Sequence, residues 1–290
     1  MKKTRIIELL LLSVVTVSGL YADTQAEESP ELVTDRPDLT ESSSVVPEGT
    51  VQMEMGWSME RVSSPSEELT AHHFPEALAR IGIYERFELR LGWDGGQWQD
   101  LDINGENVNS SGAGDMYLGT KIALWGENGG LPETAVILGT SVPTGSDCQA
   151  ADRLGNRKYC GSFNLYTSNR FDPSAILAMS KTLNDRLSLG WNLGTVWVTE
   201  REDSGDLDTF PRGIYSVALG ISATERLGFF AEFFGDTSLR GDSRPTNSVD
   251  GGATFLLLPN LQLDVSAGKG ISSESPDWFA GAGISFRLPG

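Results

Sequence analysis

In the stretch RLSLGWNLGTVWV, residues 186–198, apolar and small or polar side chains alternate. Leu187, Leu189, Trp191, Leu193, Thr195 and Trp197 fall on one face, and Ser188, Gly190, Asn192, Gly194, Val196 and Val198 on the other. A period of two is the signature of a β-strand, whose successive side chains point to opposite faces. The same alternation predicts strands near 50–62, 74–83, 87–94, 114–126, 133–142, 173–181, 186–199, 211–222, 227–235, 248–257, 261–269 and 277–288. A helical period of 3.6 residues is almost missing, so the chain reads as all-β.

The connections between these strands separate by length. Residues 84–86, 127–132, 182–185, 223–225 and 258–260 form short links. They alternate strictly with longer polar links at 63–73, 95–113, 143–172, 200–210, 236–247 and 270–276. Short periplasmic turns opposite long extracellular loops characterise outer-membrane barrels. A soluble sandwich has no comparable reason to sort its loops by length. The predicted fold is therefore a closed, antiparallel, up-and-down transmembrane β-barrel of about 12 strands. Closure is required because an open sheet edge in hydrocarbon would leave backbone groups unpaired.

The two faces then take different solvents. Val51, Met53, Met55, Trp57 and Met59 point to lipid, and Gln52, Glu54, Gly56, Ser58 and Glu60 to the lumen. By the same register Glu54, Glu76, Arg80, Glu88, Arg90, Lys121, Asn192, Glu232, Asp264 and Arg287 line the pore. Such charges can act as a selectivity zone or as an ion-pair network filling a narrow barrel. On the lipid side Trp57, Trp93, Trp197 and Trp278 fall near the long-loop ends and Phe87 and Phe286 near the turns, as interfacial girdles do.

Charge and the N-terminus refine this picture. Of the 290 residues, 22 are Lys or Arg and 40 are Asp or Glu, a net charge of −18. That balance disfavours nucleic acid and electrostatic docking on anionic lipid. Residues 1–22 combine Lys2, Lys3 and Arg5 with an apolar run and a small-residue site ending at Ala22, the pattern of a cleaved signal peptide. Residues 23–49 form an extended polar segment, either periplasmic or folded into the lumen as a plug through Asp35, Arg36, Asp38 and Glu41. The barrel occupies 50–290. The expected location is the bacterial outer membrane.

Several motifs carry a resemblance. SPELVTDRPDLTESSSVVPEGTVQMEMGWS (29–58), GAGDMYLGTKIALW (112–125), PETAVILGTSVPTG (132–145) and GAGISFRL (281–288) together resemble a bacterial outer-membrane barrel family. That family is described as transporters and linked by name to the MetA-pathway of phenol degradation. The resemblance spans Thr34 to Leu288 and implies passage of small molecules, aromatic ones included. It supplies no binding or catalytic residues. One departure is the chain end, where Phe286 is followed by Arg-Leu-Pro-Gly rather than closing on an aromatic.

Other candidate chemistry is sparse. Cys148 and Cys160, the only cysteines, share the longest loop of an exported chain and predict a disulfide. Asp100-Leu-Asp102-Ile-Asn104-Gly105 matches the first half of a calcium loop, but position twelve is Ser111 rather than Glu, which favours a plain acidic loop. His72 and His73, the only histidines, are predicted in the first long loop with no serine in phase, so catalysis is not expected. Cofactor and metal are expected to be absent. The implied partners are the outer-membrane bilayer and a small solute; the oligomeric state is left open. The reading is a channel or transporter for passive passage. A non-conducting structural or adhesive barrel and a soluble exported β-protein binding an apolar ligand are the rivals.

Overall fold

The computed structural model describes residues 31–289 apart from 66, 147–148, 153–156, 159–165, 202–205 and 242–243. Sixteen strand segments join one antiparallel sheet. Twelve form the barrel wall: β1 (Val51–Ser63), β2 (Glu67–Tyr84), β3 (Phe87–Trp93), β6 (Met116–Trp125), β7 (Glu133–Val142), β10 (Asp172–Asn184), β11 (Leu187–Arg201), β12 (Leu207–Ser222), β13 (Leu227–Ser238), β14 (Thr246–Leu258), β15 (Leu261–Gly270) and β16 (Trp278–Leu288). β1 pairs with both β2 and β16, Val51 lying opposite Ile81 on one side and Leu288 on the other. The sheet is thereby closed, and no helix occurs among the described residues. The four remaining segments, β4 (Gly96–Ile103), β5 (Glu106–Ala113), β8 (Gln149–Asp152) and β9 (Arg157–Lys158), extend it on the long-loop side.

The faces follow the alternation. Leu193 is 56% exposed and Val265 54%, on the lipid side, whereas their strand neighbours Asn192 and Asp264 are each 4% exposed. The interior is built from polar side chains: Arg80, Lys121, Glu88 and Gln52 are all at 0%. This is the inverse of a soluble protein, and the reason is the solvent. Apolar side chains meet lipid, so the charged ones must find partners inside.

The largest departure from the sequence pattern lies beyond the membrane. The loop expected at 63–73 is mostly strand, because β2 is 18 residues long. At about 3.3 Å per residue it extends roughly 60 Å, well beyond an apolar band about 25 Å tall even when tilted. Its inner half pairs with β3 and its outer half, Glu67–Phe74, with β4. The loop expected at 95–113 is the β4–β5 hairpin. Strand pairing needs only backbone groups, so the ladder continues into water where alternation of hydrophobicity fades. The half-matched calcium motif is the turn of this hairpin. Asn104 and Gly105 both adopt positive φ, at 54° and 85°, as a two-residue Asn-Gly turn of the primed kind requires. The Gly105 amide donates to the Asp102 carboxylate at 2.7 Å.

Candidate functional site: the lumen and its N-terminal segment

Inward-facing charges gather on one side of the wall. Arg80 donates to both Glu88 (2.9 Å) and Glu54 (3.2 Å), and Arg90 to Glu88 (3.0 Å), with Lys121 beside them. Three cations against two carboxylates would leave this patch positive. The balance comes from residues before β1. Asp35 meets Arg90 at 2.6 Å, Lys121 at 3.0 Å and Arg80 at 3.2 Å. Glu41 accepts two bonds from Arg90, at 2.7 and 3.0 Å, and lies 3.8 Å from Lys121. Removing either carboxylate would strand buried cations, the costly way to break such a network.

The segment around these two acids has no regular structure, so its backbone groups need other partners. The wall supplies them. Glu54 accepts from the amides of Asp35 and Arg36, Glu232 from Leu39, and Glu88 from Val46. Arg80 donates to the carbonyl of Ser44, Gln52 to that of Val33, and Arg287 to that of Glu31. Asn192 makes a reciprocal pair with Glu41, accepting from its amide at 2.7 Å and donating to its carbonyl at 3.0 Å. Ser43 reaches Ser180 and Glu133, while Thr40 bonds Glu232 and Ser216. Arg36 turns the other way, toward Asp264 (3.4 Å) and Glu76 (3.7 Å). One short segment touches strands from β1 round to β16, which is geometrically open to it only from inside the barrel. Irregular backbone at membrane depth is tolerated in such a protein-lined position.

Inward glycines make the room. A Cβ on Gly82 would stand 2.0 Å from the Pro47 carbonyl oxygen, and one on Gly56 2.3 Å from the Arg36 guanidinium. Small residues suit the crowded concave face of a curved sheet, and here they also shape a channel for this segment.

On the long-loop side of Arg36–Leu39 the lumen widens into a chamber of about 550 Å³. Its wall includes Ser58, Glu60, Glu76, Asp94 and Asp250, with Phe234 and Phe279 packed edge-to-face at 5.8 Å. Burial, with Asp115 close by, pushes the Asp94 carboxyl up to about 6.

All ten pore-lining residues predicted from the alternation face inward. All ten contact the N-terminal segment or one another, Glu76 through Arg36 at 3.7 Å, and Glu76 also accepts from Ser58. Among the four N-terminal residues, Asp35, Arg36 and Glu41 bond to the wall, and Asp38 borders the chamber. Sequence reasoning missed the chamber aromatics. Phe234 and Phe279 face inward, where alternation alone marks only polar positions. The histidines are corrected: they sit in β2, not in a loop. His72 stacks on Trp57 at 6.0 Å. His73 lies across from Ser58, the in-phase serine the linear reading did not find, but the Ser58 hydroxyl is directed at Glu76. Cys148 and Cys160 lie outside the described residues.

The architecture is shared with solved outer-membrane proteins. The COG4313 outer membrane channel from Pseudomonas putida F1 matches with a TM-score of 0.58 at 12% identity, over 85% of this chain and 98% of that one. The translocator domain of the autotransporter NalP from Neisseria meningitidis gives 0.54 at 9% identity, over 82% and 88%. The transport unit of the autotransporter AIDA-I from Escherichia coli gives 0.53 at 10% identity, over 96% of both. These likenesses establish the fold. No curated protein matches the chain. A family model described as "Putative MetA-pathway of phenol degradation" matches residues 34–288.

Proposed function

The chain belongs to that phenol-degradation family of barrels, and from this premise we propose that it is an outer-membrane channel whose N-terminal segment, residues 23–49, plugs the lumen. The carrying observation is the docking of Asp35 and Glu41 on Arg80, Arg90 and Lys121. These bonds fill the inner half of the barrel and leave the outer chamber as the roomy part of the path. Small solutes, aromatic and hydrophobic ones included, enter the chamber from the long-loop side and pass when the segment shifts. Passage is passive, and the wall holds and orders charges rather than performing chemistry. Residues 1–22 act as the export signal, cleaved after Ala22, and Cys148 and Cys160 form a disulfide.

The family connection and the polar, segment-filled interior both support this reading over an adhesive barrel, which needs no shaped lumen. The protein is expected in the membrane fraction with heat-modifiable gel mobility. Reconstituted in liposomes, it should speed swelling with small phenols and diols over protein-free controls. Folded barrels that leave swelling at the control rate for every solute would contradict the proposal.

A further inference from the structure

One sector of the docked segment is held without cations. Glu232 on β13 accepts from the Leu39 amide at 2.9 Å and from the Thr40 hydroxyl at 2.5 Å. Asp250 lies directly across from Glu232 in the β13–β14 register, and the two carboxyl groups hydrogen-bond each other. The segment brings a third carboxyl, Asp38, near this pair. Among the described residues, none of the three has a Lys or Arg within ion-pair distance. The flanking register positions, Ala218 on β12 and Gly268 on β15, carry no charge. Arg36 is turned to Glu76 and Asp264, while Asp35 and Glu41 are taken by Arg80, Arg90 and Lys121. Glu54, Glu60, Asp94 and His73 are the remaining titratable groups on the chamber wall.

We propose that this sector is a proton-operated latch, which holds the segment at Asp38–Thr40 while the carboxyl groups share protons and releases it as they ionise. A hydrogen bond between two carboxyl groups needs a proton on one of them. Like charges in one site, with no cation between them, disfavour full ionisation. Depth inside the barrel, with Glu232 and Asp250 nearby, holds the Asp38 carboxyl well above the usual carboxylate range. The sign follows from linkage. A released segment returns these groups to water, where they ionise, so the docked state binds more protons. Acid therefore favours docking, and rising pH weakens it by up to about tenfold per pH unit for each proton lost. Asp35 and Glu41 act in the opposite sense, because protonation would remove charges that Arg90 and Lys121 hold. The latch is thus read on the alkaline side of neutrality, where those ion pairs are intact. It deepens the plug reading and rests on it for the link between release and flux.

The test uses the full chain with Cys148 and Cys160 replaced by serine and a nitroxide on Leu39→Cys, a position that is 60% exposed. Label mobility in detergent and liposome swelling are followed from pH 7 to 9. The label is expected to gain mobility, and flux to rise about threefold or more, across that range. Asp38→Asn combined with Asp250→Asn supplies amide hydrogens in place of the shared protons and should keep both readings flat, near their pH 7 values. Should the double variant lose its heat-modifiable folded band, Asp38→Asn alone, which leaves the wall intact, should still shrink the rise. A label that stays immobile to pH 9, or folded variants that keep the full pH dependence, would overturn the latch. Label release without flux keeps the latch and removes the channel reading. Flux that does not follow label mobility removes the latch and keeps the channel.

Discussion

Asn192 and Leu193 are adjacent in the chain and sit in different solvents. Leu193 is 56% exposed on the lipid face, and Asn192 is 4% exposed against the N-terminal segment. A charge at Leu193 must enter hydrocarbon, so Leu193→Arg should cost about 2–4 kcal/mol if it lies near the midplane. Asn192→Asp is a different experiment from the one alternation suggests. On alternation alone a lumen charge is tolerated. Here Asn192 both accepts from the Glu41 amide and donates to its carbonyl. Asp keeps the first bond and turns the second into repulsion. The barrel should remain as stable as wild type in urea titration, while conductance rises because the segment is held less firmly. Equal loss of barrel stability at both positions would contradict the assignment of faces. The period of two made the facing of each residue legible; the partner of each inward residue was not, because it lies as many as 256 positions away.

At the scale of elements, the segment before β1 is held by side chains rather than by a ladder, which makes it a separable part. Ser43 and Ser180 hydroxyls lie 2.5 Å apart, one on the segment and one on β10. Replacing both with cysteine should allow an oxidised staple that fixes the segment and lowers solute flux, with reductant restoring it. A staple that forms and leaves flux unchanged would show that passage does not require movement here. The twelve wall strands were legible because lipid on one side and a polar lumen on the other impose strict alternation. The outer half of β2 and the β4–β5 hairpin were not, since water on both faces removes the pattern while backbone pairing persists. The segment itself was legible only as extended and charged. Its place inside the barrel depends on wall groups such as Glu54 and Arg80, which no local pattern connects to it.

The whole molecule is a closed barrel that satisfies its buried charges only with the segment in place. Arg80, Arg90 and Lys121 outnumber Glu54 and Glu88 until Asp35 and Glu41 arrive. That accounting explains why the segment stays inside and what its removal would expose: a wider lumen with a net positive inner half and an acidic outer chamber. The family match points to solute traffic, and the occupied interior bears on how much of it passes. The most direct measurement is single-channel conductance in a planar bilayer of the mature chain with and without residues 23–47. The account predicts a severalfold larger conductance after deletion, with a shift toward anions from the uncovered Arg80, Arg90 and Lys121. A deleted protein that folds, inserts and conducts no better than the intact chain would contradict it.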